Sequence, residues 1–116
     1  MFHHFLLTAL AIALPFAAQA QDLATSAEIT AAVTDKTVQG SMSASGAYTE
    51  FYAADGTIKA KDYSGTWTVE GDKMCFSYGE APDCWEVRIE AETVTWVKDG
   101  VDGGTGTIVA GNPNNF

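Results

Sequence analysis

Apolar and polar residues alternate through the middle of the chain, over residues 65–89. A period of two is typical of a β-strand with one buried face. Turn residues at Gly71-Asp72 and at positions 79–83 divide this stretch into three strands. With a two-residue first turn, Trp67 lies opposite Phe76, and the other apolar residues of both strands fall on the same face. The pattern therefore predicts three antiparallel strands that share one apolar face.

The two cysteines provide an independent indication of the same register. If Cys75 faces Cys84 across the second turn, Met74 faces Trp85, so the cysteine pairing and the apolar pattern require one alignment. A slip of one residue would destroy both relationships. We therefore predict a Cys75–Cys84 disulfide between adjacent strands.

A second hairpin is predicted earlier in the chain, where residues 48–53 and 57–61 flank Asp55-Gly56. An Asp-Gly pair is a strong signal for a two-residue turn. In that register Phe51 meets Ala60 on the buried face. The residues that alternate with them are then predicted to face solvent.

This solvent-facing side of the hairpin is the candidate binding surface. It places Tyr48 and Tyr52 beside Lys59 and Lys61, with Tyr52 opposite Lys59. Tyrosine is enriched at interfaces because it combines apolar area with a polar tip. The two lysines are among only six basic residues, so an acidic glycan or a carboxylate-rich protein is the expected partner. Stabilisation of an exposed sheet by the tyrosines across its strands is the favoured interpretation, and this face is the best surface candidate if the protein acts through its surface.

A helix is predicted before the first strand. Thr25-Ser26-Ala27-Glu28 is a capping box, and the helix should run to about Thr34. Ile29 and Val33 lie on one stripe, so we expect the helix to cover one open side or end of the sheet. The remaining predicted segments are strands at residues 36–39, 94–96 and 105–110, and glycine-rich loops at residues 40–46 and 99–104.

Together these segments predict a mainly β fold, in which one short N-terminal helix precedes an antiparallel meander of about seven short strands. A small meander with an aromatic face curls or closes to protect its edges, so a curled or barrel-like sheet is expected. Five bulky residues are assigned to its interior: Trp67, Met74, Phe76, Trp85 and Trp96. We expect a packed core, and the alternative is a cavity for one apolar guest.

The first twenty residues have the features of an export signal. An apolar run at residues 5–14 is followed by Pro15 and by Ala18-Gln19-Ala20, a typical cleavage site. The run is shorter than the roughly 20 residues that cross a bilayer. We predict a signal peptide at residues 1–20 and a single exported domain at residues 21–116, periplasmic or secreted. Export also favours oxidation of the paired cysteines.

Charge and composition exclude several classes of function. The net charge of −9 argues against binding to nucleic acid or anionic lipid, which both require basic patches. His3 and His4 lie in the predicted signal, so the mature chain has no histidine for a Ser-His or Cys-His pair or for a zinc site. Asp99 and Asp102 lack the spacing of an EF-hand loop. We expect no enzyme activity, no metal and no cofactor.

Five motifs together resemble a family of small exported proteobacterial proteins of unknown function. They lie at residues 36–40, 48–58, 65–75, 84–87 and 104–113, and include Gly-Thr-Trp-x-Val-Glu-Gly-Asp and Cys-Trp-Glu-Val. The resemblance covers nearly all of the predicted mature chain. It implies a bacterial envelope location and carries no activity with it.

The expected function is therefore a non-enzymatic binding or interaction module of the envelope or of the secreted fraction. The alternative is a lipocalin-like carrier of a small apolar ligand. An enzyme is disfavoured because histidine is absent and both cysteines are committed to each other. A co-purifying ligand would favour the carrier, and capture of one stable partner would favour the module.

Overall fold

The protein is described by a computed structural model that covers residues 22–116. The predicted signal peptide, residues 1–20, lies outside this range. Within residues 22–116 the chain forms one helix and eight strands: α1 (Ser26–Val33), β1 (Lys36–Met42), β2 (Gly46–Tyr52), β3 (Thr57–Lys59), β4 (Ser64–Glu70), β5 (Lys73–Ser77), β6 (Asp83–Glu90), β7 (Thr93–Lys98) and β8 (Val101–Ala110).

The eight strands form a closed antiparallel barrel. Each strand pairs with the next, and β1 pairs with β8 from Lys36 opposite Ala110 to Met42 opposite Gly104. Closure gives every strand a neighbour on both sides, although the short β3 pairs with β2 at two positions, Phe51 with Lys59 and Tyr52 with Ile58. The predicted class, a short helix followed by a curled β meander, is confirmed, with eight strands where about seven were expected.

The predicted register of the central strands is confirmed. Trp67 lies opposite Phe76 between β4 and β5, and Met74 lies opposite Trp85 between β5 and β6. The Cys75–Cys84 disulfide is present, and the two Cα atoms are 4.0 Å apart. The apolar pattern and the cysteine pairing thus specify one alignment because both depend on the same period of two.

The helix closes one end of the barrel. Thr25 accepts a hydrogen bond from the Glu28 amide, and the Glu28 carboxylate accepts one from the Thr25 amide, which is the predicted capping box. Ile29 and Val33 are fully buried. Because α1 contacts β1, β4, β5 and β6, which lie on different sides of the barrel, it must lie across the end. The predicted docking through Ile29 and Val33 is confirmed.

The predicted register of the β2–β3 hairpin is wrong by one residue. Phe51 lies opposite Lys59, not Ala60, and Tyr52 lies opposite Ile58. The Gly56 amide donates to the Ala53 carbonyl, and Gly56 has a φ of 92°, so the connection is a three-residue loop in place of a two-residue turn. A slip of one residue exchanges the two faces of a strand, so Tyr52 and Ile58 share the barrel interior.

The two predicted glycine-rich loops are mostly strand. β1 continues to Met42, and β8 begins at Val101, so Gly103, Gly104 and Gly106 lie within a strand. A Cβ atom on Gly106 would be 2.5 Å from the Tyr48 hydroxyl oxygen and 2.5 Å from Val38. These glycines therefore provide space inside the barrel, a role that sequence composition does not distinguish from a flexible loop.

The half of the barrel next to the helix is tightly packed. Its fully buried side chains include Val38, Ile58, Met74, Val87 and Val94. A site must therefore lie at the opposite end of the barrel, where the connections β1–β2, β3–β4, β5–β6 and β7–β8 are found.

No helix within residues 22–116 has the length and apolar character needed to cross a membrane.

Candidate ligand cavity

A cavity opens at the end of the barrel opposite the helix. Its volume is about 830 Å³, and its rim includes the β1–β2 turn at Ser43, Ala44 and Ser45. The side chains that give it chemical character are Tyr48, Glu50, Phe76, Tyr78, Trp85 and Trp96. They point inward because each occupies the same alternate position as the packed residues further down its strand or just beyond the strand end. The barrel thus has a packed half and an open half.

A buried carboxylate, Glu50, lies in the wall of this cavity with 5 % of its surface exposed. The Tyr52 hydroxyl donates to Oε1 at 2.8 Å, and the Tyr63 hydroxyl donates to Oε2 at 2.8 Å. The Tyr78 hydroxyl lies 3.0 Å from Oε1 and 2.8 Å from Oε2. Three neutral donors from three separate segments therefore converge on one carboxylate, which we call the Glu50 cluster.

The Glu50 cluster contains no basic side chain. The ion pairs within residues 22–116 are Arg88 with Asp102 and Lys98 with Asp83. Burial of a charge is costly unless it is paired or hydrogen-bonded. Here the tyrosine hydroxyls supply the hydrogen bonds but no opposing charge.

The tyrosines of the cluster hold their protons more strongly than free tyrosine. Burial, followed by the negative charge of Glu50, raises the pKa of Tyr52 well above its ordinary value of 10.0. Burial and the hydrogen bond to Glu50 also raise the pKa of Tyr63, and burial with the charge of Glu50 raises that of Tyr78. All three hydroxyls are therefore protonated donors at neutral pH.

A second group of aromatic residues, Tyr48, Phe76 and Trp96, also lines the cavity. The Trp96 indole N–H donates to the Tyr48 hydroxyl at 2.8 Å, and this hydroxyl donates to the Thr105 carbonyl at 3.1 Å. The rings of Phe76 and Trp96 are 5.2 Å apart and nearly perpendicular. These contacts hold the rings in place, because the Tyr48 hydroxyl both accepts and donates a hydrogen bond.

At the rim, Asp83, Trp85 and Lys98 form a compact set. Lys98 pairs with Asp83 Oδ1, and the Trp85 indole N–H donates to Asp83 Oδ2 at 3.0 Å. The Lys98 ammonium nitrogen lies 4.2 Å from the centre of the Trp85 ring. A cation thus lies between a carboxylate and an aromatic face at the mouth of the barrel.

The predicted exposed tyrosine face does not form. Tyr52 is fully buried and Tyr48 is half-buried, and both point into the barrel. Lys59 is exposed on the outer surface opposite Phe51, and Lys61 lies in the exposed β3–β4 connection. The one-residue error in the hairpin register explains this correction, because it exchanged the inner and outer faces. Whether Tyr48 and Tyr52 contact a ligand stays a prediction, now placed inside the barrel.

Glu50 and Tyr78 had no predicted role from the sequence, and a packed core was favoured over a cavity. Trp67, Met74, Phe76 and Trp96 do belong to the buried core and Trp85 packs against it, as predicted, but Phe76, Trp85 and Trp96 also line the cavity. A signal for Glu50 was present, since it stands midway between Tyr48 and Tyr52 with a spacing of two. With the tyrosines assigned to the inner face, the same period places the carboxylate there too.

Comparisons of the chain with protein-family models, with curated proteins and with solved structures return no match. The resemblance to small exported proteobacterial proteins therefore stays a prediction, and the function has to be argued from the cavity itself.

Proposed function

We propose that this protein is a non-enzymatic binding protein that carries a small ligand in the open half of its barrel. The observation behind the proposal is the cavity of about 830 Å³ with the Glu50 cluster in its wall. Ligand sites in proteins typically measure about 300–1,000 Å³ and combine aromatic walls with a few placed polar groups. The cavity has this size and this composition.

The architecture supports a carrier of the lipocalin type. An eight-stranded up-and-down barrel has an interior that is filled by side chains or holds one small ligand. This barrel has one end closed by α1 and one end open. A ligand would therefore enter and leave by a single route, past the loops at the open end.

The rigidity of the walls also favours binding. The Glu50 cluster and the Tyr48–Trp96 pair are each held by hydrogen bonds between separate segments. A site formed before the ligand arrives loses less conformational entropy on binding than one that must be ordered. These side chains are thus suited to recognise a ligand without rearrangement.

The remaining parts of the proposal rest on sequence. We propose export to the periplasm or the exterior from the features of residues 1–20, and the Cys75–Cys84 disulfide is compatible with such a compartment. We propose that the protein is not an enzyme because the chain after residue 20 has no histidine. The predicted binding of a partner on the outer surface is no longer supported, because Tyr48 and Tyr52 do not face solvent.

The proposal is tested by native mass spectrometry of the protein isolated from its own cells. We expect a bound small molecule that appears as a discrete mass above that of the chain. Ala81 lies at the cavity and is exposed, so Ala81→Trp should obstruct the opening without disturbing the packed half. We expect this variant to retain at most about a tenth of the ligand carried by the wild type.

The matched control is Ala47→Trp. Ala47 is exposed on β2 at an outward position, so the same substitution adds an indole to the outer surface. This variant should carry as much ligand as the wild type. A ligand-free wild-type protein, or equal ligand in Ala81→Trp and Ala47→Trp, would contradict the proposal.

A further inference from the structure

We infer that the ligand of this cavity is a small organic cation, such as an amine or a quaternary ammonium compound, held between the Glu50 carboxylate and the aromatic walls. The inference rests on the proposed function and specifies its ligand class. It differs from the neutral apolar guest that an aromatic barrel suggests at first.

The charge of the cavity lining is entirely negative. Among the lining residues in the described part of the chain none is Lys, Arg or His, whereas three are acidic: Glu50, Glu80 and Asp83. Asp83 is already paired with Lys98 at the rim. The charge that faces the interior is therefore that of Glu50, with Glu80 exposed near the opening.

The Glu50 cluster holds this charge in place without cancelling it. Its donors are three tyrosine hydroxyls, which are neutral and which burial and Glu50 itself keep protonated. A charge acts more strongly inside a protein than in water because the surrounding medium is less polarisable. The cluster thus presents a fixed negative potential to whatever enters the cavity.

The aromatic residues of the lining are suited to contact a cation as well. Tyr48 and Trp85 are half-buried residues of the lining, with the more deeply buried Phe76 and Trp96 behind them, and the face of an aromatic ring attracts cations within about 6 Å. The chain itself uses this combination at the rim, where Lys98 lies over Trp85 and pairs with Asp83. Glu50 provides a carboxylate near aromatic residues further inside the barrel, so the cavity offers a cation the same types of partner.

The other ligand classes fit less well. An anion would meet Glu50 with no basic side chain in the lining to offset the repulsion. A neutral apolar ligand would displace water from Glu50 and leave its charge without a counterpart, which is unfavourable. For a metal ion, the cluster of three potential ligands found within residues 22–116 is Glu70, Cys75 and Cys84, which does not line the cavity and whose cysteines form the disulfide.

The inference is tested with three probes that share one alkyl chain: hexyltrimethylammonium, hexanol and hexanoate. Trp85 and Trp96 line the cavity, so binding should be visible in tryptophan fluorescence and can be confirmed by calorimetry. We expect the cation to bind at least about tenfold more tightly than hexanol, and hexanoate to bind more weakly than either.

Two variants separate the effect of the buried charge on cation binding from the effect of the protein's overall charge. Glu50→Gln keeps the shape and an acceptor for the tyrosines but removes the charge. Glu92→Gln removes one charge from the exposed β6–β7 turn, at the end of the barrel that the helix closes. We expect Glu50→Gln to weaken binding of the cation by about tenfold and Glu92→Gln to change it by less than about twofold. Circular dichroism in the near ultraviolet establishes that each variant is folded.

The outcomes distinguish this inference from the proposal on which it rests. If none of the three probes binds, the carrier function itself is contradicted. If hexanol or hexanoate binds as tightly as the cation, a ligand cavity exists but the inferred ligand class is wrong. Equal losses in Glu50→Gln and Glu92→Gln would show a general effect of charge and would also overturn the inference. Should Glu50→Gln fail to fold, the order of the three probes on the wild type decides alone.

Discussion

Tyr52 donates a 2.8 Å hydrogen bond to Glu50, which lies two residues earlier on the same inward face of β2. Both side chains are buried, and Tyr52 is 0 % exposed. A strand that points a carboxylate and a phenol into one barrel can satisfy both groups locally, because residues two apart share a face. The pair is the innermost part of the Glu50 cluster. The strength of each hydrogen bond in the cluster can be tested by Tyr→Phe substitutions, which remove one hydroxyl at a time.

Tyr52→Phe should destabilise the protein more than Tyr63→Phe does. Each substitution removes one hydroxyl from Glu50, but Tyr52 is fully buried whereas Tyr63 is 47 % exposed. A hydrogen bond to a charged group contributes about 1.5–3 kcal/mol, so we expect a loss in this range for Tyr52→Phe. The loss for Tyr63→Phe should stay below about 1 kcal/mol. Urea unfolding at neutral pH measures both values, and equal losses would show that burial does not set the strength of these bonds.

Alkaline titration should show that tyrosine ionisation is linked to unfolding. Burial is the first cause that raises the pKa of all four tyrosines above 10.0, and Glu50 contributes in each case. Because the pKa values are higher in the folded state than in the unfolded state, the stability they provide is fully present below about pH 10 and decreases as pH rises beyond it. Tyrosinate absorbance should therefore appear together with loss of the circular dichroism signal. Ionisation of a tyrosine near pH 10 in a chain that remains folded would contradict the raised values.

Gly106→Ala should destabilise the barrel by about 1–3 kcal/mol, the usual cost of inserting a methyl group where no space exists. The new Cβ atom would lie 2.5 Å from the Tyr48 hydroxyl oxygen and would disturb its bond with Trp96. Tyr48→Phe removes that oxygen, so Gly106→Ala should cost less in the Tyr48→Phe background. A double-mutant cycle measures the difference, and an unchanged cost would show that Val38 alone sets the limit.

Removal of the disulfide should lower stability without changing the fold. The bond closes a short loop, with a sequence separation of 9, for which constraint of the unfolded chain gives about 2.7 kcal/mol. The double variant Cys75→Ser, Cys84→Ser should lose about this amount in urea unfolding and keep its far-ultraviolet spectrum. A loss below about 1 kcal/mol would mean that the β5–β6 turn is ordered in the unfolded chain without the bond.

The parts of the fold that sequence predicted are those in which two signals agree. Trp67 opposite Phe76 and Cys75 opposite Cys84 follow one period of two, and the Thr25 capping box requires only neighbouring residues. Asp55-Gly56 is compatible with a two-residue turn and with a three-residue loop that ends in a left-handed glycine. Nothing nearby distinguished the two, and the faces of Tyr48 and Tyr52 depended on that choice.

The cavity was harder to predict because it depends on distant parts of the chain. Besides Tyr52 on its own strand, Glu50 is hydrogen-bonded by Tyr63 and Tyr78, which come from two other segments of the chain. The glycines of β8 had the composition of a loop, and their role became visible only when β1 and β8 were paired. Local patterns can place Glu50 on the same face as Tyr48 and Tyr52, but they carry no information on its contacts with Tyr63 and Tyr78 or on the pairing of β1 with β8, since these are set by closure of the barrel.

The pairing of β1 with β8 also constrains how this molecule folds. Lys36 finds its partner Ala110 only when the last strand has been synthesised, so the ring cannot form while the chain is still growing. Contacts between residues far apart in sequence slow folding because a large loop must be ordered before the contact forms. Closure of the barrel around the cavity therefore requires the complete set of eight strands.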